Sequence, residues 1–283
     1  MKNYFSLVKF SHTIFAMPFA ILGFFMALNL NELNFNYLIL IYVVLCMVFA
    51  RNAAMGFNRY LDRSIDAKNP RTLSRDIPAG KISSRNALIF VVVNILLFIA
   101  TTWFINSLCF YLSPVALIVV LGYSFTKRFT SLCHFVLGLG LALAPIGAYI
   151  AVTGSFNHFS PVLLSFGVLF WTAGFDIIYA LQDVNFDREN HLKSVPERIG
   201  VDKALIISRF LHLLSISFVL AAGWMMTANL LYWIAAGLFS MLLLNQHLLV
   251  KPNDFSKINI AFFTMNGIAS LIFGTIAILS FYF

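Results

Sequence analysis

The sequence predicts an all-α membrane protein with nine transmembrane helices. Of its 283 residues, 60% are hydrophobic and only 11% are charged, against about 45–50% and about 25% in soluble proteins. The mean hydropathy is +0.88, and phenylalanine alone occurs 31 times. A soluble chain of this length could not bury so much apolar surface, so lipid must surround most of it.

Nine stretches contain the roughly 20 apolar residues that a helix needs to cross a hydrocarbon core about 30 Å thick. They lie near residues 10–30, 37–57, 87–105, 108–125, 132–153, 162–181, 204–227, 230–250 and 258–282. We predict a single domain over residues 1–283, with halves at about 1–130 and 131–250 and an added ninth helix at about 258–282. Similar acidic clusters four spans apart indicate the two halves.

The basic residues predict the orientation in the membrane. All but two of the 19 Lys and Arg residues lie at the N-terminus, where Lys2 and Lys9 stand, or in even-numbered loops. The two exceptions, Arg51 and Arg209, lie within spans. By the positive-inside rule, the N-terminus and the even-numbered loops face the cytoplasm. The net charge of +8 is therefore a topology signal, and nucleic acid is not an expected partner.

Acidic residues gather in two clusters, each where a span reaches the cytoplasmic face. The clusters are Asn58, Asp62 and Asp66 at the end of span two, and Asp176, Asp183 and Asp187 at the end of span six. Spacings of four in the first cluster, and of seven and four in the second, place each set on one helix face. Tyr179 lies close to the second face.

The chemistry of these clusters requires compensating cations. Like charges four residues apart destabilise a helix, and carboxylates beside lipid are costly. Magnesium prefers carboxylate and amide oxygens and typically joins one or two carboxylates to substrate phosphates, which the basic loops could also bind. The pattern therefore indicates a site for a divalent metal and a diphosphate. The alternative is that the acids are solvated helix ends paired to arginines such as Arg59 and Arg63.

These residues resemble the motifs of the UbiA-type intramembrane aromatic prenyltransferases, and the similarity covers nearly the whole chain. The family's first motif, N-D-x-x-D-x-x-x-D, is matched at residues 58–66, except that Arg59 stands where many members have the first aspartate. The second motif is matched by DIIYALQDVNFD at residues 176–187. The segment YSFTKRFT at residues 123–130 is similar to members that prenylate 4-hydroxybenzoate.

The resemblance implies a nine-helix bundle of two four-helix halves plus one, with two Mg²⁺ ions bridging the diphosphate of a polyprenyl donor. The metal ligands implied are Asn58, Asp62 and Asp66 for one ion and Asp183 and Asp187 for the other. Asp62 and Asp183 are the expected catalytic pair. Asp176 lies deeper on its helix face, where it could orient Tyr179 or the acceptor rather than bind metal.

Basic side chains near these motifs are candidates for binding the diphosphate. A departing diphosphate needs electrostatic stabilisation, which metal ions and basic groups supply. The candidates are Arg71, Arg75, Lys81, Lys127 and Arg128. Loop arginines are as often plain topology determinants. The allylic cation that forms must also be kept from water, which a cavity within the membrane would do.

Arg51 lies seven residues before Asn58, two turns deeper on the same helix face, or about 10 Å further from the cytoplasm. An arginine within a span indicates a buried anionic partner. We expect it to hold the carboxylate of an aromatic acid acceptor, the alternative being a structural ion pair, for instance with Asp176. Lys9 and His12 could face the same cavity, although a lone histidine at the interface is usually structural.

The expected function is Mg²⁺-dependent transfer of a polyprenyl group to an aromatic acid such as 4-hydroxybenzoate, in quinone biosynthesis. A carboxylated dihydroxynaphthalene of a menaquinone route is a close alternative, and haem farnesylation is a third. A secondary transporter is the non-enzyme alternative, disfavoured because the acids lie at one interface rather than at the midplane. We expect the protein in a bacterial inner membrane, surrounded by lipid, with its active site facing the cytoplasm.

Overall fold

The protein is a bundle of helices in a computed structural model that describes residue 7 and residues 15–283. Lys2, Lys9 and His12 lie outside the described residues, so their predicted roles stay predictions. The long helices are α1 (Met17–Leu30), α2 (Tyr37–Leu61), α4 (Ser84–Ile105), α5 (Ser107–Thr126), α6 (Cys133–Thr153), α7 (Ser160–Ala180), α10 (Val201–Met225), α11 (Leu230–Leu249) and α12 (Asn266–Leu279). The short helices are α3 (Arg63–Asp66), α8 (Val184–Glu189) and α9 (Val195–Ile199).

The helices agree with the predicted membrane spans. Within the described residues, eight helical segments are long and apolar enough to cross a membrane, and α1 is a shorter apolar helix. A π-helical turn at Ile260–Met265 leads into α12. An apolar helix therefore lies at each of the nine predicted spans, which confirms the all-α membrane fold, with nine an approximate count. The division into halves at 1–130 and 131–250 stays a prediction.

Asparagine residues are the N-caps of three of the long helices. The side chains of Asn36, Asn106 and Asn229 accept hydrogen bonds from backbone N–H groups in the first turns of α2, α5 and α11. The first N–H groups of a helix have no partner within it, so such caps are stabilising. At the other end of α6, Gly154 takes a left-handed conformation with φ 65°, which glycine adopts without steric cost. Local chemistry thus sets the helix ends.

An aromatic cluster joins four helices at the centre of the bundle. Phe19 of α1 lies 5.2 Å from Trp171 of α7 between ring centroids. Trp171 in turn lies 5.9 Å from Phe239 of α11, which lies 5.2 Å from Phe273 of α12. All four side chains are buried. Tilted and edge-on contacts of this kind stabilise a core beyond the area they bury.

Glycine permits the closest helix contacts. At Gly23 of α1, a Cβ atom would lie 2.1 Å from the carbonyl oxygen of Pro145 in α6. At Gly138 of α6, it would lie 2.5 Å from the carbonyl oxygen of Leu169 in α7. Because backbone cannot move aside cheaply, small residues are needed where membrane helices touch. These contacts set α6 against both α1 and α7.

The structure corrects one prediction, that each acidic motif continues along a single helix. Helix α2 ends at Leu61, and Asp62 has φ −88° and ψ 3° before the short helix α3. Likewise α7 ends at Ala180, and a 3₁₀ turn at Leu181–Asp183 precedes α8. Successive carboxylates repel each other on one helix face. At these breaks Asp62, Asp66 and Asp183 are paired with cations instead.

We predict that Gly23→Ala lowers the free energy of unfolding by about 2 kcal/mol, within the usual cost of overpacking. The added methyl group would force α1 away from α6. Thermal unfolding of the purified protein in detergent measures the effect. Gly237→Ala is the matched control, since no described atom lies within 4 Å of a Cβ there. Equal stability of the two variants would contradict the argument.

Candidate active site

A cavity of about 730 Å³ lies among α2, α4, α5, α6 and α7. Its acidic and amide wall residues lie where α2 and α7 end and in the segments that follow, which we call the charged end. They are Asn58, Asp62, Asp66, Asn69, Asp176, Asp183 and Asp187. Towards the opposite ends of the helices the wall is mostly apolar, with residues such as Met47, Phe98, Leu112 and Ala148. The fold therefore brings both predicted acidic clusters to one cavity.

Asp62 of the first cluster is held by two cations from the loop after α5. The residue is only 1% exposed. Its Oδ2 accepts hydrogen bonds from Lys127 Nζ at 2.5 Å and Asn58 Nδ2 at 3.1 Å. Its Oδ1 accepts one from Arg128 Nη2 at 2.8 Å. A buried carboxylate needs such partners to stay charged.

Asp66, the next carboxylate of the first cluster, is held on one side only. Its Oδ1 accepts a hydrogen bond from Arg75 Nη1 at 2.6 Å. Within the described part of the chain, its buried Oδ2 has no hydrogen-bond partner. Arg59 Nη1 lies 4.0 Å from this Oδ2. Both residues line the cavity.

The loop after the first cluster closes onto the second. Asp183 Oδ1 accepts hydrogen bonds from Arg71 Nε at 2.9 Å and Asn69 Nδ2 at 3.1 Å, and Arg71 Nη2 binds the other oxygen. Arg71 Nη1 also donates to the Tyr179 hydroxyl at 3.0 Å. Burial lowers the pKa of Arg71, but the hydrogen bond and charge of Asp183 raise it above its ordinary value. Arg71 therefore links the two clusters.

Two predicted site residues, Asp187 and Lys81, are not part of the ion pairs described above. Asp187 lines the cavity beside Ser194 and Lys193. Lys81 is exposed and, in the described part of the chain, is not part of the cavity wall. Its backbone N–H binds the carbonyl oxygen of Asp76 in the same loop. The structure thus brings Arg71, Arg75, Lys127 and Arg128 to the carboxylates, but not Lys81.

Asp176 pairs with a histidine that the sequence does not point to. Its Oδ2 lies 2.7 Å from Nδ1 of His134, at the start of α6. Nε2 of His134 accepts a hydrogen bond from the backbone N–H of Val195 at 3.2 Å. Because that N–H can only donate, Nε2 carries no proton, and Nδ1 donates to Asp176. His134 therefore orients the carboxylate of Asp176 in the cavity wall.

Arg51 and Tyr179 line the same cavity as Asp176. Arg51 lies on α2, nearly two turns before Asn58, and forms part of the wall below the carboxylates. The ring of Tyr179 stacks on Phe262 with centroids 4.1 Å apart, and Phe175 packs on Phe262 at 5.3 Å. The three residues predicted to hold the acceptor thus line the same cavity, Arg51 on α2 and the other two on α7.

The donor atoms of the charged end suit a hard divalent ion. They are carboxylate and amide oxygens, the ligands that Mg²⁺ prefers. The buried, unpaired Oδ2 of Asp66 is the clearest single position for a ligand. No group of three or more His, Cys, Asp or Glu side chains in the described residues is already arranged to hold a metal ion. Lys127, Arg128 and Arg71 instead neutralise Asp62 and Asp183.

Comparison of the sequence with protein-family profiles identifies the family to which this site belongs. The profile of the UbiA prenyltransferase family matches residues 16–268. The chain belongs to the UbiA prenyltransferase family. This membership confirms the resemblance carried by the two acidic motifs, and it removes the support for a transporter.

Individual relatives agree with the family assignment. The chain is 31% identical over 226 residues to a 4-hydroxybenzoate octaprenyltransferase of Tolumonas auensis, covering 80% of this chain and 78% of that protein. It is 32% identical over 239 residues to one of Aliivibrio fischeri, covering 83% and 81%. UbiA family members of known structure superpose along nearly their whole length.

Two solved structures illustrate the likeness. The UbiA homologue of Aeropyrum pernix K1 has a TM-score of 0.85 and 28% identity, over 95% of this chain and 97% of that one. The homologue of Archaeoglobus fulgidus bound to DMAPP and Mg²⁺ has a TM-score of 0.74 and 20% identity, over 99% of each chain. At that identity the second comparison shows the shared fold.

We predict that Arg71→Ala releases the loop between α3 and α4 from the second cluster. The change removes the hydrogen bonds to Asp183 and Tyr179, so amide hydrogen exchange of residues 67–80 should speed up about tenfold. Hydrogen-exchange mass spectrometry measures the rate. Lys68→Ala is the matched control, because Lys68 is exposed on the same segment. An unchanged rate in Arg71→Ala would show that other contacts hold the loop.

Proposed function

We propose that this UbiA family member transfers a polyprenyl group from its diphosphate to an aromatic acid such as 4-hydroxybenzoate, with Mg²⁺, in quinone biosynthesis. One observation carries the proposal: two carboxylate clusters and their cations meet at the charged end of a cavity that is otherwise apolar. A polyprenyl diphosphate has the same division into charged head and apolar tail. The names of the bacterial relatives support 4-hydroxybenzoate as acceptor.

The donor head group is assigned to the charged end. Asn58, Asp62 and Asp66 are proposed to hold one Mg²⁺, and Asp183 and Asp187 the other. When bound, the metal ions act as Lewis acids that stabilise the departing diphosphate. The solved homologue of Archaeoglobus fulgidus with DMAPP and Mg²⁺ supports this assignment by analogy of fold.

The basic residues have a second task in this proposal. Arg71, Arg75, Lys127 and Arg128 neutralise carboxylates in the structure. The same side chains can turn to phosphate oxygens when the carboxylates bind metal, so the charge of the site stays balanced throughout. Guanidinium groups bind phosphate with two parallel hydrogen bonds. The cations thus stabilise the negative charge that grows on the leaving group.

The cavity wall protects the allylic cation and holds the acceptor. Loss of the diphosphate leaves a cation that water would quench, and the apolar wall excludes water. Aromatic rings in the cavity wall can stabilise positive charge. Arg51 is proposed to bind the acceptor carboxylate, while Asp176, oriented by His134, accepts a hydrogen bond from its hydroxyl group. The activated ring carbon then forms a C–C bond to the allylic cation, and the proton that this carbon loses passes to the released diphosphate.

The proposal also covers location and orientation. Eight apolar helical segments long enough to span a bilayer make this a membrane protein, and its relatives are bacterial. We place it in the inner membrane with the charged end at the cytoplasmic face, because the basic loops adjoin that end. From that side the water-soluble aromatic acid can enter the cavity and the diphosphate product can leave it.

The direct test is reconstitution of the purified protein with a labelled polyprenyl diphosphate and Mg²⁺. 4-Hydroxybenzoate and a carboxylated dihydroxynaphthalene are offered in parallel, since Arg51 could hold either carboxylate. We expect a labelled lipid product with 4-hydroxybenzoate that disappears with a chelator. Preference for the naphthalene acceptor would move the enzyme to a menaquinone route. No product with either acceptor would overturn the proposed function.

We predict that Asp62→Asn and Asp183→Asn each lower prenyl transfer by at least about a thousandfold, because each removes a carboxylate from a proposed metal site. The labelled-product assay measures the loss, and thermal unfolding confirms that the variants fold. Asp202→Asn, an exposed change at the start of α10, is the matched control. Near-normal turnover in either motif variant would reject the two-metal assignment.

We predict that Arg51→Ala raises the KM for the aromatic acid about a hundredfold, as expected for losing a charge-assisted bidentate contact. The KM for the polyprenyl diphosphate should stay the same. Steady-state kinetics with each substrate varied in turn separates the two. Arg209→Ala is the matched control, since Arg209 is the other arginine within a span and does not line the cavity in the described structure. An unchanged acceptor KM would remove Arg51 from the acceptor site.

A further inference from the structure

Arg59 is a buried cation that the assigned mechanism does not use. It lies near the end of α2 and is 7% exposed. Among the described residues, its Nη1 has no hydrogen-bond partner. A buried ionised group with an unsatisfied N–H is unfavourable until a partner accepts that hydrogen bond. Such a group indicates a ligand that completes its shell.

The atom opposite Arg59 is also without a partner. Asp66 Oδ2 is buried and unbonded within the described residues, and it lies 4.0 Å from Arg59 Nη1. This distance is too long for a hydrogen bond. The other oxygen of Asp66 is held by Arg75 at 2.6 Å. The pair thus leaves one buried donor and one buried acceptor facing each other without a hydrogen bond, in two residues that line the cavity.

The surroundings of Arg59 favour an anion rather than a metal ion as its ligand. Its electrostatic neighbours are Arg75, Asp66, Tyr123 and Tyr179, so it lies between the first cluster and the second. The first cluster has two carboxylates, Asp62 and Asp66, facing four described cations. These cations are Arg59, Arg75, Lys127 and Arg128. The excess positive charge attracts phosphate and repels a free divalent ion.

The second cluster has fewer cations in ion-pair contact with its carboxylates than the first. Asp183 and Asp187 both line the cavity, and Arg71 is the cation in direct contact with Asp183. A divalent ion on its own is therefore more stable at the second cluster than at the first. The two motifs, similar in sequence, differ in charge because the loop cations gather at one of them.

We infer that Arg59 is a diphosphate-binding residue that lets the donor head group bind at the first cluster before a metal ion is present there. In this scheme the first cluster takes its metal only together with the diphosphate, which supplies the negative charge that the four cations otherwise outweigh. The inference rests on the proposed function, because it concerns the same donor site. Beyond that function, the diphosphate binds the first cluster before the metal ion does, and Arg59 joins the residues that hold the diphosphate.

The first test is binding of inorganic diphosphate to the full-length protein in detergent with EDTA, measured by isothermal titration calorimetry. We expect Arg59→Gln to weaken binding at least tenfold, the size of one charge-assisted hydrogen bond. Arg59→Lys should fall between, because it keeps the charge and loses the planar fork. Equal affinity of wild type and Arg59→Gln would overturn the inference.

Arg63→Gln is the matched control for these measurements. Arg63 lies four residues further along the chain, is exposed, and donates to the Tyr60 carbonyl oxygen at 2.7 Å. The change removes the same charge from the same region without altering the cavity wall. We expect its affinity for diphosphate to equal that of wild type. A tenfold loss in Arg63→Gln as well would reduce the effect to net charge and overturn the assignment to Arg59.

A second test counts metal sites by electron paramagnetic resonance of Mn²⁺, without using activity. We expect wild type to bind about one Mn²⁺ tightly without diphosphate and two with it, and Arg59→Gln to bind the second without diphosphate. Thermal unfolding shows whether each variant folds. A purely structural ion pair with Asp66 would lower stability and leave the Mn²⁺ count unchanged, which would overturn the inference.

The two proposals can fail separately. Wild-type protein that forms no prenylated product with either acceptor would overturn the proposed function. If the wild-type protein forms product, the proposed function stands. If Arg59→Gln then keeps normal metal-free diphosphate binding and a normal Mn²⁺ count, only the role of Arg59 is overturned.

Discussion

The pairing of carboxylates with cations at one end of the bundle is the constraint on which the rest of the site depends. Asp62 and Asp66 are almost completely buried, and charges in such surroundings are stable only when paired. Lys127 and Arg128 meet this need for Asp62, and Arg75 meets it for Asp66. Since these cations come from two different loops, neutralising the acids also brings the loops together over the cavity.

The same pairing connects the two acidic clusters. Asn69 and Arg71 follow the first cluster in sequence, yet both bind Asp183 of the second. Arg71 also reaches Tyr179, so one side chain contacts a carboxylate and an aromatic wall residue together. A ligand that competes for Asp183 would therefore free Arg71 and the loop with it. Binding and loop position are coupled through that one guanidinium group.

The apolar part of the cavity follows from a different constraint. Membrane helices approach closely only where small residues face each other, as Gly23 does against Pro145 and Gly138 against Leu169. Those contacts hold α6 against α1 and α7. The cavity lined by α2, α4, α5, α6 and α7 leaves space for an apolar chain. The charged end and the apolar wall thus have separate physical origins and together make one site.

The sequence by itself determined the membrane class, the helix positions and the acidic motifs. The length of an apolar stretch and the charge of the loop after it depend only on residues that are neighbours in the chain. Four of the five predicted phosphate-binding cations also lie beside carboxylates. The pairing of Asp176 with His134 joins residues 42 apart in the chain, and no spacing rule predicts it. Only tertiary structure decided that, together with the helix breaks at the motifs and the unpaired atoms of Arg59 and Asp66, because these depend on which distant groups packing brings within hydrogen-bonding distance.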